Sequence, residues 1–169
     1  MTIPIFDDMR NWMAPVWEEQ EFQQHVLWAG IFGSVARNRA HSESDVDIVC
    51  VFKDHLRSGE PVDLRERESC RTDHTWAHFC MCTGLMEACR HEISLLCIWQ
   101  GHDWAWGNVR VEALLASRTI YGDRRDVEHL RADGKKFLQE GLDKFAAVAE
   151  SVKQIREQVQ TVQTLEVGW

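Results

Sequence analysis

Nowhere in the chain do eighteen or more apolar residues run together, so no segment is suited to cross a bilayer as a helix and no membrane partner is expected. The first residues, Met1-Thr2-Ile3-Pro4-Ile5-Phe6-Asp7-Asp8, lack the basic block and following apolar block of a secretory signal, which makes a cytoplasmic location the expectation. Basic residues are in deficit, with 19 Lys and Arg against 27 Asp and Glu and a net charge of −8. Tracking a phosphate backbone demands a basic groove, so a long nucleic-acid partner is not expected. The six cysteines, at 50, 70, 80, 82, 89 and 97, form no CxxC pair. They read as reduced thiols in or beside the core, with no disulfide framework. What remains is ordinary globular usage, 44% apolar and 27% charged over 169 residues, enough for one compact core with additions.

The richest stretch lies between positions 27 and 52. Leu27-Trp28-Ala29-Gly30-Ile31-Phe32 reads as a short buried strand running into Gly33-Ser34. A polar segment from Val35 to Ser44 follows, and then Asp45-Val46-Asp47-Ile48-Val49-Cys50-Val51-Phe52. Alternation along a strand puts Asp45 and Asp47 on one face and Val46, Ile48 and Cys50 on the other. Two carboxylates so placed can share divalent cations. A nucleoside triphosphate would be repelled by the bare pair, so the arrangement makes sense with hard cations such as Mg²⁺ between them. Two ions roughly 3.5–4 Å apart can hold the attacking and leaving oxygens of an in-line displacement. Gly33 lets the backbone turn tightly beside a phosphate, and Ser34 supplies a hydroxyl. A short helix expected at about Val35 to Arg39 turns its N–H groups toward the same anion, with Arg37 in reach of a phosphate oxygen.

Gly33-Ser34, ten residues, then Asp45-x-Asp47 resembles the signature of the DNA polymerase beta-type nucleotidyltransferase superfamily. Within it, Ala36-Arg37, Ala40 and Ser44-Asp45-Val46-Asp47-Ile48 fall where the minimal nucleotidyltransferase group places its Gly-Ser-x-Ala-Arg and later Ser-Asp-x-Asp-Leu/Ile. The motif covers about twenty residues. The resemblance implies a nucleotidyltransferase that moves a nucleoside monophosphate, AMP from ATP, onto a hydroxyl of a small molecule or a protein and releases pyrophosphate. Asp45 and Asp47 would hold two Mg²⁺ ions, while Gly33, Ser34, Arg37 and Ser44 would hold the triphosphate.

The family takes a third carboxylate from a later strand. Glu92, in His91-Glu92-Ile93-Ser94-Leu95-Leu96-Cys97-Ile98-Trp99, shares a strand face with Ser94 and Leu96. It would serve as a metal ligand or as the base that takes the acceptor proton. Asp63, in Pro61-Val62-Asp63-Leu64, is the rival, but its apolar run is too short to cross a sheet and leads into Arg65-Glu66-Arg67-Glu68. His74, His78 and Cys82 recur every four residues and could share a zinc ion. A core helix carrying Trp76, Phe79, Met81, Leu85 and Met86 is the simpler reading of that segment. Trp104 and Trp106 could stack on a base, though anchoring a loop explains them more simply.

These elements predict an α/β (α+β) architecture: a small mixed sheet from Leu27 to Phe32, Val46 to Phe52 and Glu92 to Trp99, flanked by helices and extended by a long C-terminal helix. A first helix is expected from Asn11 to Val26, a polar connection from Lys53 to Asp73, further helices over Thr75 to Arg90 and about Asn108 to Ser117, and a short extended piece at Thr119 to Asp123. Residues 1–123 then form the catalytic domain and 124–169 a helical extension. In that extension Phe145, Val148, Val152, Ile155, Val159 and Val162 fall at spacings of three and four, a heptad-like seam. Val127 to Leu142 is expected to fold back on the domain. The seam from Phe145 to Val162 is expected to pair with another chain, as a homodimer or a helix-mediated complex. A rival function is thus a nucleotidyltransferase-like binding module that neutralises or assembles a partner through this helix. The intact Gly-Ser and Asp-x-Asp set favours catalysis, since a scaffold has no need of aligned anionic groups.

Overall fold

The computed structural model describes residues 2–53, 82–99, 108–144 and 149–167. Helices α1 (Phe6–Trp17) and α2 (Gln20–His25) precede strand β1 (Val26–Ile31). A one-turn helix α3 (Gly33–Ala36) leads to β2 (Val46–Phe52), and residues 82–89 are helical (α4). Then come β3 (Ile93–Trp99), α5 (Asn108–Leu115), β4 (Arg118–Tyr121), a 3-10 turn (Arg124–Val127), α6 (Glu128–Lys144) and α7 (Ala149–Val167). The four strands lie in the order β3-β2-β1-β4. β2 and β3 are parallel, whereas β1 is antiparallel to both β2 and β4. This is the mixed sheet that the apolar runs predict, and β4 is its fourth strand. Asp63, His74, His78, Trp104 and Trp106 lie outside the described residues.

Period-two alternation decides what each face of the sheet meets. Val46, Ile48, Cys50 and Phe52 of β2 pack with Phe6, Met9, Met13 and Trp17 of α1. Val49 and Val51 point the other way, into a cluster with Trp28, Ile98, Ala113, Leu114, Val127 and Leu130. Asp47 is in phase with Val49 and so belongs to the face that α5 covers. Cys50 and Cys89 are buried and Cys82 and Cys97 half-buried, all as free thiols. Burial pushes the Cys97 thiol up to about 12, which keeps it protonated. No helix among the described residues is long and apolar enough to cross a membrane.

Two expectations are corrected. The single helix from Asn11 to Val26 is two helices, the first beginning at Phe6. Its end falls where Glu18 and Glu19 would put two carboxylates against the negative end of the helix dipole. There the Glu18 and Glu19 N–H groups donate to Pro15 and Val16 at 3.3 Å, a tightened last turn. Both Trp17 and Phe22 are then buried in one cluster. The second correction concerns the seam. Val152 and Ile155 pack inside the chain against Val111, Leu115 and Leu138, and Val162 joins the α1 face. Each burial is worth roughly 1.5–3 kcal/mol, so these three positions, expected to pair in trans, are covered in cis; Phe145 and Val148 lie outside the described residues.

Arg131 fastens α6 to α5. Its guanidinium is 1% exposed and donates to the carbonyl oxygens of Leu114 and of Leu115, the latter at 3.1 Å. Those are acceptors that a helix end leaves open. Burial pulls its pKa down to about 10, so it remains charged at neutral pH. Arg131→Met is expected to destabilise the fold by roughly 1–3 kcal/mol, seen as a lower urea midpoint at unchanged slope. Val152→Asp is expected to cost about 3 kcal/mol or more. If that variant instead stayed folded and merely dissociated in sedimentation, the packing in cis would be refuted.

Candidate active site

The turn between β1 and α3 and the start of β2 meet at one end of the sheet. Phe32 N–H donates to the Asp47 carbonyl at 2.9 Å, closing the antiparallel pair just before Gly33. Gly33 has φ +70, which only glycine adopts readily. A β-carbon there would overlap the Asp47 carboxylate. The glycine is thus required twice, by its backbone angle and by the side chain lying over it. Ser34 and Asp47 are half-buried and Asp45 is exposed, so the turn and both carboxylates border solvent. Ser44 accepts from the His41 N–H at 2.9 Å through its hydroxyl and holds the loop entering β2.

β3 approaches the same end. Val46 N–H donates to the Glu92 carbonyl at 2.8 Å, and the parallel register pairs Val46 with Ile93 and Asp47 with Ser94. Continued by one residue, it sets Glu92 beside Asp45. The Glu92 side chain is exposed. Among the described residues no three of His, Cys, Asp and Glu stand close enough to hold one metal ion. The groups brought together are therefore the Gly33-Ser34 turn and the Asp45 and Asp47 pair, with Glu92 on the neighbouring strand.

Glu112, on the inner side of α5, is the residue that sequence reasoning did not anticipate. The Asp47 carboxyl is pushed up to about 6 by burial, with the Asp45 and Glu112 charges adding to the effect and Arg37 opposing it. Arg37 does not hang free for a phosphate. Its Nη1 donates to Gln158 Oε1 at 2.8 Å and lies 3.5 Å from Glu112 Oε1, so it ties α3 to α5 and α7. A polar Glu112 between Val111 and Leu114 breaks the apolar face of α5, the one hint of its place that the sequence holds.

Residues 16–93 match the family model described as the nucleotidyltransferase domain. The matched span takes in the Gly33-Ser34 turn, Asp45, Asp47 and Glu92. Among curated proteins no sequence matches significantly. Among solved structures, a chain of a toxin–antitoxin with AMP-PNP superposes with a TM-score of 0.53 at 14% identity, covering 85% of this chain and 98% of that one. A mutant of the toxin–antitoxin MntA-HpeT gives a TM-score of 0.53 at 13% identity with the same coverage. At such identity the likeness is one of fold.

The crowding of Asp47 has a measurable consequence. Its folded carboxyl protonates near about 6 and the unfolded one near 3.8. The folded state therefore takes up this proton first, and stability rises as pH falls through about 6 and levels off below 3.8. In metal-free protein, Asp47→Asn is expected to raise Tm at neutral pH, with the gain over the parent shrinking as the solution is acidified through that window. A gain independent of pH would mean that Asp47 is not held against burial and like charge.

Proposed function

We propose that this chain is a nucleotidyltransferase that transfers AMP from ATP to a hydroxyl of a protein or a small molecule, with residues 1–123 as the catalytic domain and 124–169 as the extension that closes its α5 face. The observation that carries the reading is the Asp47 carboxylate lying on Gly33 at the joint of β1 and β2, with the Asp45 charge acting on it from just ahead of β2. The donor set fits Mg²⁺, which is held in triphosphate sites by one or two carboxylates, with waters and phosphate oxygens completing its octahedron. The negative charge of Asp45 and Glu112 acting on Asp47 also favours a cation over the bare site. Bound there, Mg²⁺ would supply positive charge against the phosphate oxygens. ATP as donor is supported by the AMP-PNP named with one chain of like fold.

The remaining steps fall to the chain's own groups. Gly33 gives the β- and γ-phosphates access to backbone N–H groups, and Ser34 donates its hydroxyl to them. Arg37 adds charge to the triphosphate by exchanging Glu112 and Gln158 for phosphate oxygens, while Ser44 keeps the loop before Asp45 in place. The acceptor oxygen attacks the α-phosphorus in line, the bond to the bridging oxygen breaks, and pyrophosphate departs. The acceptor proton passes to Glu92 on the adjoining strand. The net charge of −8 suits a compact acceptor better than a long nucleic acid.

Incubating the protein with α-labelled ATP, Mg²⁺ and a lysate of its native cells is expected to label a protein or a small molecule. Asp45→Asn should abolish the label, and Glu92→Gln should slow its appearance by roughly 10²-fold or more. Labelling unaffected by Asp45→Asn would overturn the assignment of the pair. No label from the parent protein, together with recovery of a bound protein partner, would favour the binding-module reading.

A further inference from the structure

Away from the Asp45 and Asp47 pair, the start of α1, the end of α7 and the first residues of β4 enclose two adjoining cavities of about 370 and 380 Å³. Arg118 and Asp7 line both. Arg118 is 7% exposed, and its guanidinium sits 3.6 Å from the centroid of the Phe6 ring. Every other charged side chain lining these cavities has a partner. Asp7 pairs with Arg10 at 3.3 Å, and Glu166 pairs with Arg124, to which it also accepts a hydrogen bond. The Arg118 guanidinium makes no hydrogen bond and no ion pair among the described residues. Buried charges are normally paired, and a guanidinium carries five N–H donors in a fork that matches a carboxylate. A stack on Phe6 satisfies none of them.

We propose that these cavities form a binding site for a small organic carboxylate with an apolar body, its carboxylate on the Arg118 fork. Charge decides between classes of anion. Arg10, Arg118 and Arg124 against Asp7 and Glu166 leave a single positive charge, which suits a monoanion and works against a doubly charged phosphate. The body of the ligand is decided by the walls. Pro4, Ala40 and Leu165 face the second cavity, as do Ile3 and Ile5, which are 55% and 54% exposed. Covering such side chains gains roughly 25 cal/mol per Å² of apolar surface. Burial also holds the Arg118 guanidinium below its ordinary pKa, a penalty that an anionic partner would relieve.

Hexanoate is the probe, titrated into the full chain by calorimetry, with Mg²⁺-ATP absent and then present. Saturable one-to-one binding is expected, independent of nucleotide. Arg118→Met is expected to weaken it at least tenfold or so, the loss of charge-assisted hydrogen bonds. Asp7→Asn removes a repelling carboxylate and frees Arg10, and should tighten binding roughly fivefold. That gain cannot arise from a damaged fold, so it decides the matter even if Arg118→Met does not fold. No saturable binding at millimolar hexanoate, unchanged affinity in Arg118→Met, or unchanged or weaker affinity in Asp7→Asn would each overturn the proposal. Inorganic phosphate binding as well as hexanoate would overturn the apolar body. Because Asp45→Asn leaves this cavity intact, hexanoate binding by that variant separates failure here from failure of the transferase reading.

Discussion

The hydrogen bond from Phe32 N–H to the Asp47 carbonyl, at 2.9 Å, is the constraint from which the candidate site follows. It closes the β1–β2 pair at the point where Gly33 must turn, and the Asp47 carboxylate takes its place from that pairing. That place is over the glycine, where any β-carbon would collide with it. Turn and carboxylate thus form one unit, held side by side by the strand pair. A site on two paired strands is held more tightly than one on loops, which is what alignment of reacting oxygens requires.

The same unit is poorly neutralised. Asp45 and Glu112 both act on Asp47, and Arg37 is the cation opposing them there. Arg37 in turn is shared with Gln158 of α7. The C-terminal helices are thus electrically as well as sterically part of the site, although the Gly-Ser and Asp-x-Asp residues lie far upstream. Perturbed carboxylates of this kind gather where charge must be handled during function, and α7 touches that balance through one amide.

Much of this was legible in the sequence where local rules suffice. Period-two alternation located β1, β2 and β3 to within a residue and put Asp47 opposite Val46 and Ile48. The Gly-Ser turn announced itself by residue type. The break at Glu18–Glu19 was missed because apolar periodicity continues across it, and only the electrostatics of a helix end favours stopping there. Glu112 was not legible, since its role depends on how α5 crosses β2. The seam illustrates a different limit: spacing identifies an apolar stripe but carries no information on whether Val111, Leu115 and Leu138 or a second chain will cover it.

The arginines complete the picture of an acidic protein. Arg131 is spent on carbonyls of α5, Arg37 on Glu112 and Gln158, Arg124 on Glu166, and Arg118 is stacked on Phe6. Four cations of a basic complement already outnumbered by acids are thus turned inward, joining elements rather than facing solvent as a stripe. A surface that must follow a polyanion does the opposite, spreading its cations along a groove at phosphate spacing. Under the proposed function, attraction for a phosphate group would be generated locally, at the Gly33 turn and by release of Arg37 from its two partners. Such an arrangement favours a single triphosphate over a chain of phosphates.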